Sequence, residues 1–210
     1  MNTASWVPDL FMEKVRADED WYMFCPSDCR ELHEAYGEDF EESYNYYCQK
    51  AEEGELKNFR KVKAKELWKK MLKVLFETSH PWVTFKDPSN IRYSNQHQGT
   101  VHSSNLCTEI LLHTKPSKYK DGEKIEIGET AVCNLGSVNL KNHLKDGGLN
   151  KDLLASTIKT AIRLLDNVID LNFYPTKEAE NANMQHRPIG LGMMATHDVL
   201  QILDIQYDSD

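Results

Sequence analysis

No apolar run in the 210-residue chain approaches the roughly 18 residues that cross a bilayer as a helix, so the sequence predicts no membrane span. The opening residues, Met1 to Pro8, lack the basic-then-apolar pattern of a secretory signal. Positive charge is in deficit: 25 Lys and Arg stand against 33 Asp and Glu, for a net charge of −8. That balance argues against a nucleic-acid-binding surface. Internal repeats and low-complexity segments are missing too. Five cysteines, odd in number and scattered in spacing, do not make a disulfide framework and fit reduced thiols in a cytosol-like compartment. What remains is ordinary for a globular protein. Hydrophobic residues make up 40% and aromatics 10%, enough for one core.

Apolar residues at Leu10, Phe11, Met12 and Val15 predict a short amphipathic helix after Pro8. Cys25-Pro26 starts a turn, and the acidic, tyrosine-rich run from Glu38 to Glu53 reads as a surface helix or loop. Lys57 to Thr78 reads as one helix, with Ala64, Leu67, Met71 and Leu75 on one stripe and lysines opposite. His80-Pro81 ends it, Trp82 to Phe85 is a candidate strand, and Lys86 to Asn90 is a turn signal. Lys115 to Glu129 is a polar excursion, and Thr130 to Leu140 alternates as a strand should. Asn150 is a candidate N-cap for a long helix striped by Leu154, Ile158, Ala161, Leu165 and Val168. Pro188 to Gly192 reads as a short extended or turn element, and Met193 to Leu203 as a final helix. Strand–helix alternation predicts an α/β architecture.

The chemistry concentrates between Asn95 and Ile110. Taken as extended chain, this stretch puts Leu106, Thr108 and Ile110 on one face and Asn105, Cys107 and Glu109 on the other. An amide, a thiol and a carboxylate then stand in a row at roughly 7 Å intervals. Burying an unpaired carboxylate costs several kcal/mol, which is hard to account for unless chemistry needs it. A lone cysteine is usually a small buried hydrophobe. Asn105 and Glu109 beside Cys107 reverse that expectation.

The segment His102-Ser103-Ser104-Asn105-Leu106-Cys107-Thr108-Glu109-Ile110 closely resembles the radical-site segment of the large, catalytic subunit of class I ribonucleotide reductases. Further matches follow in the family's order: Trp6 to Met12, Pro81 to Lys86, Ala131-Val132-Cys133-Asn134-Leu135, and His186 to Gly192. The resemblance implies the central part of the family's ten-stranded α/β barrel, incomplete here. Residues 1–210 would be a partial catalytic barrel domain with its radical-site loop at about 95–114. The family's regulatory N-terminal domain and cysteine-bearing C-terminal tail have no counterpart in the chain. It implies that Cys107 forms the thiyl radical that abstracts the 3′ hydrogen of a ribonucleotide. Glu109 acts as base on the 3′ hydroxyl. Asn105 hydrogen-bonds the ribose, with Ser104 beside it in the substrate site. Cys133 becomes one of two reducing cysteines; its partner lies, in the family, upstream of anything here. No cofactor is expected in this chain, because the radical comes from a separate metal-containing small subunit. The implied partners are a ribonucleoside diphosphate, the remaining segments of the large subunit, the small subunit, and thioredoxin or glutaredoxin. The implied location is cytoplasmic, with no nucleic acid and no membrane partner.

Other groupings carry blander readings. Cys25, Cys29 and His33 recur every four residues, but Pro26 interrupts the pattern and helix-start packing outweighs a metal site. The basic run Lys57 to Lys70 is a solvated helix face. Gly190-Leu191-Gly192 lacks the third glycine of a phosphate loop and reads as close backbone packing. His97 and His102 have no role above a structural one. Two rival functions remain: a cysteine hydrolase using Cys107 with His102 or His97, and a non-catalytic structural remnant of a split subunit.

Overall fold

The computed structural model describes residues 3–209, which divide into two compact units at Thr114/Lys115. Each is organised around a pair of parallel strands joined by a helical connection.

In the first unit, Ala4–Val7 runs parallel to Trp82–Phe85, with Trp6 opposite Thr84 and Val7 opposite Phe85. Alternation gives this pair two faces. Val7 and Val83 pack with Phe11, Ala64, Leu67 and Trp68, joining the strands to helices Asp9–Ala17 and Ala64–Thr78. Ala4, Trp6, Trp82 and Thr84 occupy the other face and border a cavity under the His102–Thr108 stretch. Pro8, extended at φ −74° and ψ 153°, turns the first strand into its helix, where Asp9 favours the first turn. An antiparallel pair, Asp20–Phe24 with Phe59–Lys63, covers helix Gly37–Glu52.

The acidic tyrosine-rich run is therefore core as well as surface. Tyr44, 1% exposed, stacks on Trp21 at 4.3 Å, and its hydroxyl accepts the Tyr22 N–H at 2.6 Å. The predicted helix from Lys57 is also corrected, because residues 59–63 are strand and the helix starts at Ala64. Cross-strand ion pairs of Asp20 with Lys63 (2.9 Å) and Lys61 (3.5 Å) draw the lysine-rich segment into pairing, against its local helix propensity. Lys86 to Asn90, expected as a turn, is a short helix, Lys86–Ile91. Pro88 lies in its first turn, where a missing N–H is harmless.

In the second unit, Asn134–Asn139 runs parallel to Ile189–Met194, Asn134 opposite Ile189. The 21-residue helix Lys151–Leu171 packs on this pair, with Leu165 against Gly136. Asn150 caps it, its Oδ1 accepting the Leu153 N–H at 3.0 Å. Lys115 to Glu129 forms an exposed hairpin, Lys118–Lys120 with Glu123–Glu126. Helix Lys177–His186 was not legible, because its sequence has no apolar stripe. Its signals are small: the Thr176 cap, acidic residues in the first turn, and buried Ala179, Ala182 and Asn183. Strand Ile189–Met194 takes in most of what looked like a turn, leaving the final helix as Thr196–Ile202.

Among the described residues every sheet has two strands, so none closes on itself, and no helix is long and apolar enough to cross a membrane. Large apolar side chains stay open to solvent, including Phe76 at 93%, Leu171 at 84% and Phe173 at 88%.

Tyr44 tests the first core. Tyr44→Ala should lower stability by about 3–5 kcal/mol. Tyr44→Phe, which strands the Tyr22 N–H, should cost about 1–3 kcal/mol. Urea unfolding followed by Trp21 fluorescence measures both; an unchanged Phe variant would remove the hydrogen bond from the core's account.

Candidate active site

The segment expected to be extended is a turn. Asn95–Gln98 turns first, closed by the Gln98 N–H on Asn95 O at 2.9 Å. The chain is then clamped at Val101, which is fully buried. Asn90, 1% exposed, accepts the Val101 N–H through Oδ1 at 2.7 Å and donates from Nδ2 to Val101 O at 3.1 Å. One side-chain amide thus does what a neighbouring strand would do. Thr100 adds a hydroxyl bond to Glu34 O at 2.8 Å.

Beyond the clamp, Ser104 bridges Leu111 in antiparallel fashion and the residues between them form a tight loop. The Thr108 N–H returns to Asn105 O at 3.1 Å, and the Ile110 N–H to Asn105 Oδ1 at 3.0 Å. Ser104 Oγ lies 2.8 Å from Ile110 O and 3.1 Å from Asn105 Oδ1. Thr108 sits at φ +65°, a left-handed conformation that costs a β-branched residue about 1–3 kcal/mol. The alternation expected of a strand is lost here, because Asn105 bonds the backbone of its own loop and bends it.

Ser104, Asn105, Cys107 and Glu109 therefore share one eight-residue loop, 104–111. The structure corrects their expected setting. Asn105, Cys107 and Glu109 are exposed, and Leu106, expected on an apolar reverse face, is 56% exposed. Asn105 Oδ1 is occupied by the loop, while its Nδ2 has no partner among the described residues. The amide therefore offers a ligand two N–H donors. Beneath the loop lies a cavity of about 250 Å³. Trp6 Nε1 and Thr84 Oγ1, from two of its lining residues, are buried without hydrogen-bond partners among the described residues.

No histidine hydrogen-bonds to Cys107 among the described residues. His102 is engaged elsewhere: its ring stacks on His33 at 3.9 Å, and its Nε2 lies 3.3 Å from Glu34 Oε2. Burial, helped by the neighbouring His33, holds its pKa below the ordinary histidine value. Lys86 backs this region. Its buried ammonium donates to Leu32 O (2.9 Å) and His33 O (3.1 Å), and burial lowers its pKa to about 8. The sequence drew attention to His102 and, beside Cys25 and Cys29, to His33, but not to their meeting, because the cluster's members come together only when the loop docks.

Cys25 and Cys29 lie in the turn before helix Glu31–Glu34, so the helical spacing with His33 is not realised. Cys133 belongs to the second unit. It is half-buried, immediately before strand Asn134–Asn139 rather than within a longer strand. A Cβ added at Gly190 would meet Leu135 Cδ2 at 2.6 Å and Cys133 Sγ at 3.8 Å. Glycine there lets the two strands and the thiol approach closely.

A family model described as "Ribonucleotide reductase, barrel domain" matches residues 1–210. The chain is 54% identical over 209 residues to a ribonucleoside-diphosphate reductase subunit alpha of Chlamydia muridarum, covering 100% of this chain and 19% of the relative. It is 39% identical over 207 residues to the large subunit of Danio rerio, covering 98% of this chain and 24% of the relative. Against the large subunit of Vaccinia virus it is 37% identical over 206 residues, covering 98% and 25%. The chain thus spans a fifth to a quarter of the length of these relatives.

The thiols separate by environment. Cys107 is exposed, whereas Cys29 is buried and its pKa is pushed up to about 11, chiefly by desolvation. Since the thiolate is the nucleophile, iodoacetamide at pH 8 should modify Cys107 well before Cys29. Raising the pH towards 11 should speed Cys29 by roughly tenfold per unit. Peptide mass spectrometry reads the order, and equal rates would contradict the burial of Cys29.

Proposed function

Since the chain belongs to the ribonucleotide reductase barrel-domain family, we propose that it carries the radical-site loop of a ribonucleoside-diphosphate reductase catalytic subunit. The observation that carries this reading is the single exposed loop presenting Asn105, Cys107 and Glu109, held by Ser104 and the Asn90 clamp. The reaction would be the reduction of ribonucleoside diphosphates to deoxyribonucleotides for DNA synthesis, in the cytoplasm.

In this reading a radical generated in a separate, metal-containing small subunit reaches Cys107 as a thiyl. The sulfur takes the 3′ hydrogen atom of the ribose, leaving a carbon radical and a thiol; the two bonds are close in strength, so the step is reversible. Glu109 removes the 3′ hydroxyl proton, which helps the sugar radical expel the 2′ oxygen as water. Asn105 donates its free N–H groups to a ribose hydroxyl, a neutral contact that adds no charge beside the radical. Cys133 and a second cysteine supply two electrons and become a disulfide, which thioredoxin or glutaredoxin reduces again. The second cysteine lies within about 7 Å, Cα to Cα, of Cys133 on a companion segment. The open strand edges and exposed apolar side chains support a need for such segments.

The hydrolase alternative is not supported: His102 is committed to His33 and Glu34, and neither His102 nor His97 hydrogen-bonds to Cys107 among the described residues. Exposure of Cys107 means that ready alkylation does not favour that alternative.

Co-production with the remaining segments of a large subunit, plus small subunit and reductant, should give nucleoside-diphosphate reduction that the chain alone lacks. Cys107→Ser and Glu109→Gln should abolish deoxynucleotide formation, and Asn105→Ala should lower it by about 10- to 1,000-fold. Unreduced activity in Cys107→Ser, or no activity in any correctly assembled complex, would overturn the reading.

A further inference from the structure

The loop docks on helix Glu31–Glu34 through a side-chain cluster that the nucleotide chemistry does not use. The rings of His33 and His102 stack at 3.9 Å with planes 7° apart, and Glu34 Oε2 lies 3.3 Å from His102 Nε2. One ligand atom from each of His33, Glu34 and His102 lies within 4.8 Å of the others. We propose that these three residues bind a divalent transition ion of the zinc class, which joins the Cys107 loop to the helix.

Three features support it. The donor set, two imidazoles and a carboxylate, suits zinc, cobalt or nickel and disfavours magnesium and calcium, which take oxygen. Ligands around a tetrahedral zinc lie about 3.3 Å apart, so the cluster, within 4.8 Å, contracts by up to about 1.5 Å, and one of the two stacked rings turns so that both in-plane lone pairs meet the ion. Glu34, whose side chain is 64% exposed, and His33, also exposed, are free to make that movement. Second, the two supporting segments are already fixed. Thr100 holds Glu34 O, and Lys86 holds the carbonyls of Leu32 and His33. Pre-set supports of this kind lower the ordering cost of ligation. Third, His33 and His102 border a cavity of about 300 Å³ that also takes in Leu32, Phe40 and Lys86, with room for water at the open coordination position.

Lys86 opposes the site, because its ammonium faces the same cluster. Its partners are backbone carbonyls and the Phe40 ring, 5.0 Å away, so its charge is held by other groups than the three ligands. The ligand set stays intact beside it, and the expected affinity is micromolar rather than nanomolar. The proposal stands independently of the nucleotide-reduction reading.

The test is calorimetric titration of the chelator-treated full chain with zinc chloride, with cobalt absorption to identify ligands and near-UV circular dichroism to verify folding. One equivalent of zinc should bind, and magnesium should give no heat. His33→Ala and His102→Gln should each weaken binding by at least about tenfold while the dichroism is kept. Glu34→Gln, which can keep a hydrogen bond to His102, should weaken it too and serves if a histidine variant fails to fold. Undiminished zinc binding in the His33→Ala/His102→Gln double variant would overturn the proposal. So would a thiolate charge-transfer band in the cobalt spectrum, which would place the ion on cysteines, or absence of zinc binding at millimolar concentration.

Discussion

The helix Lys86–Ile91 is too short to be stable alone, and its buried side chains, Lys86, Asp87, Ser89 and Asn90, are polar. The first unit depends on it because each buried polar group must find a partner. Asp87, 2% exposed, accepts the N–H groups of Asp9 and Gly37, fixing the starts of two helices. Lys86 caps carbonyls at Leu32 and His33, and Asn90 holds both backbone groups of Val101. Four separate segments are thus tied to one turn and a half of helix. An apolar core of the same volume would fill the space without saying which backbone groups meet. Here the hydrogen bonds specify where the Cys107 loop begins.

This dependence explains what could be seen in the sequence. Helices Asp9–Ala17 and Lys151–Leu171 were legible because each carries an apolar stripe, a local pattern, even though in the second only Ile169 is buried and Ile158 and Val168 stay exposed. The cap Asn150 was legible for the same reason. Strand Phe59–Lys63 was hidden because its pairing with Asp20–Phe24 reaches forty residues back, and nothing local in a lysine-rich run announces it. Ser104, Asn105, Cys107 and Glu109, proposed for the site, fall together in one loop, but the conformation of that loop was not legible. Asn105 and Cys107 stand two apart whether the chain is straight or bent. The bend comes from an amide closing on Ile110 and from the clamp at Asn90, fifteen residues upstream.

The two units repeat one arrangement with different lengths. A parallel strand pair needs a crossover, and each pair here is covered by helices on a face it buries. In the first unit the opposite face, with Trp6 and Thr84, turns towards the Cys107 loop instead of towards a helix. That difference between faces puts the proposed site on one side of a sheet and packing on the other. It also explains why polar atoms of Trp6 and Thr84 go unpaired where the sheet meets the cavity rather than where it meets the core.

In the proposed reading the 104–111 loop presents reactive groups, and such a loop has to be rigid without using those groups as its own glue. The division here falls inside Asn105. Its carbonyl oxygen is given over to the fold, receiving Ile110 N–H with Ser104 Oγ alongside, and its N–H₂ is left outward. The carboxamide cannot rotate without losing that backbone bond, at a cost of about 1 kcal/mol or more, so its donor direction is set before any ligand arrives. Cys107 and Glu109, flanking the strained Thr108, make no such concession and stay exposed. An aspartate at 105 could still accept the Ile110 N–H, but it would put a second negative charge beside Glu109 and offer no donor. The amide is the side chain that can close the turn with one end and donate with the other.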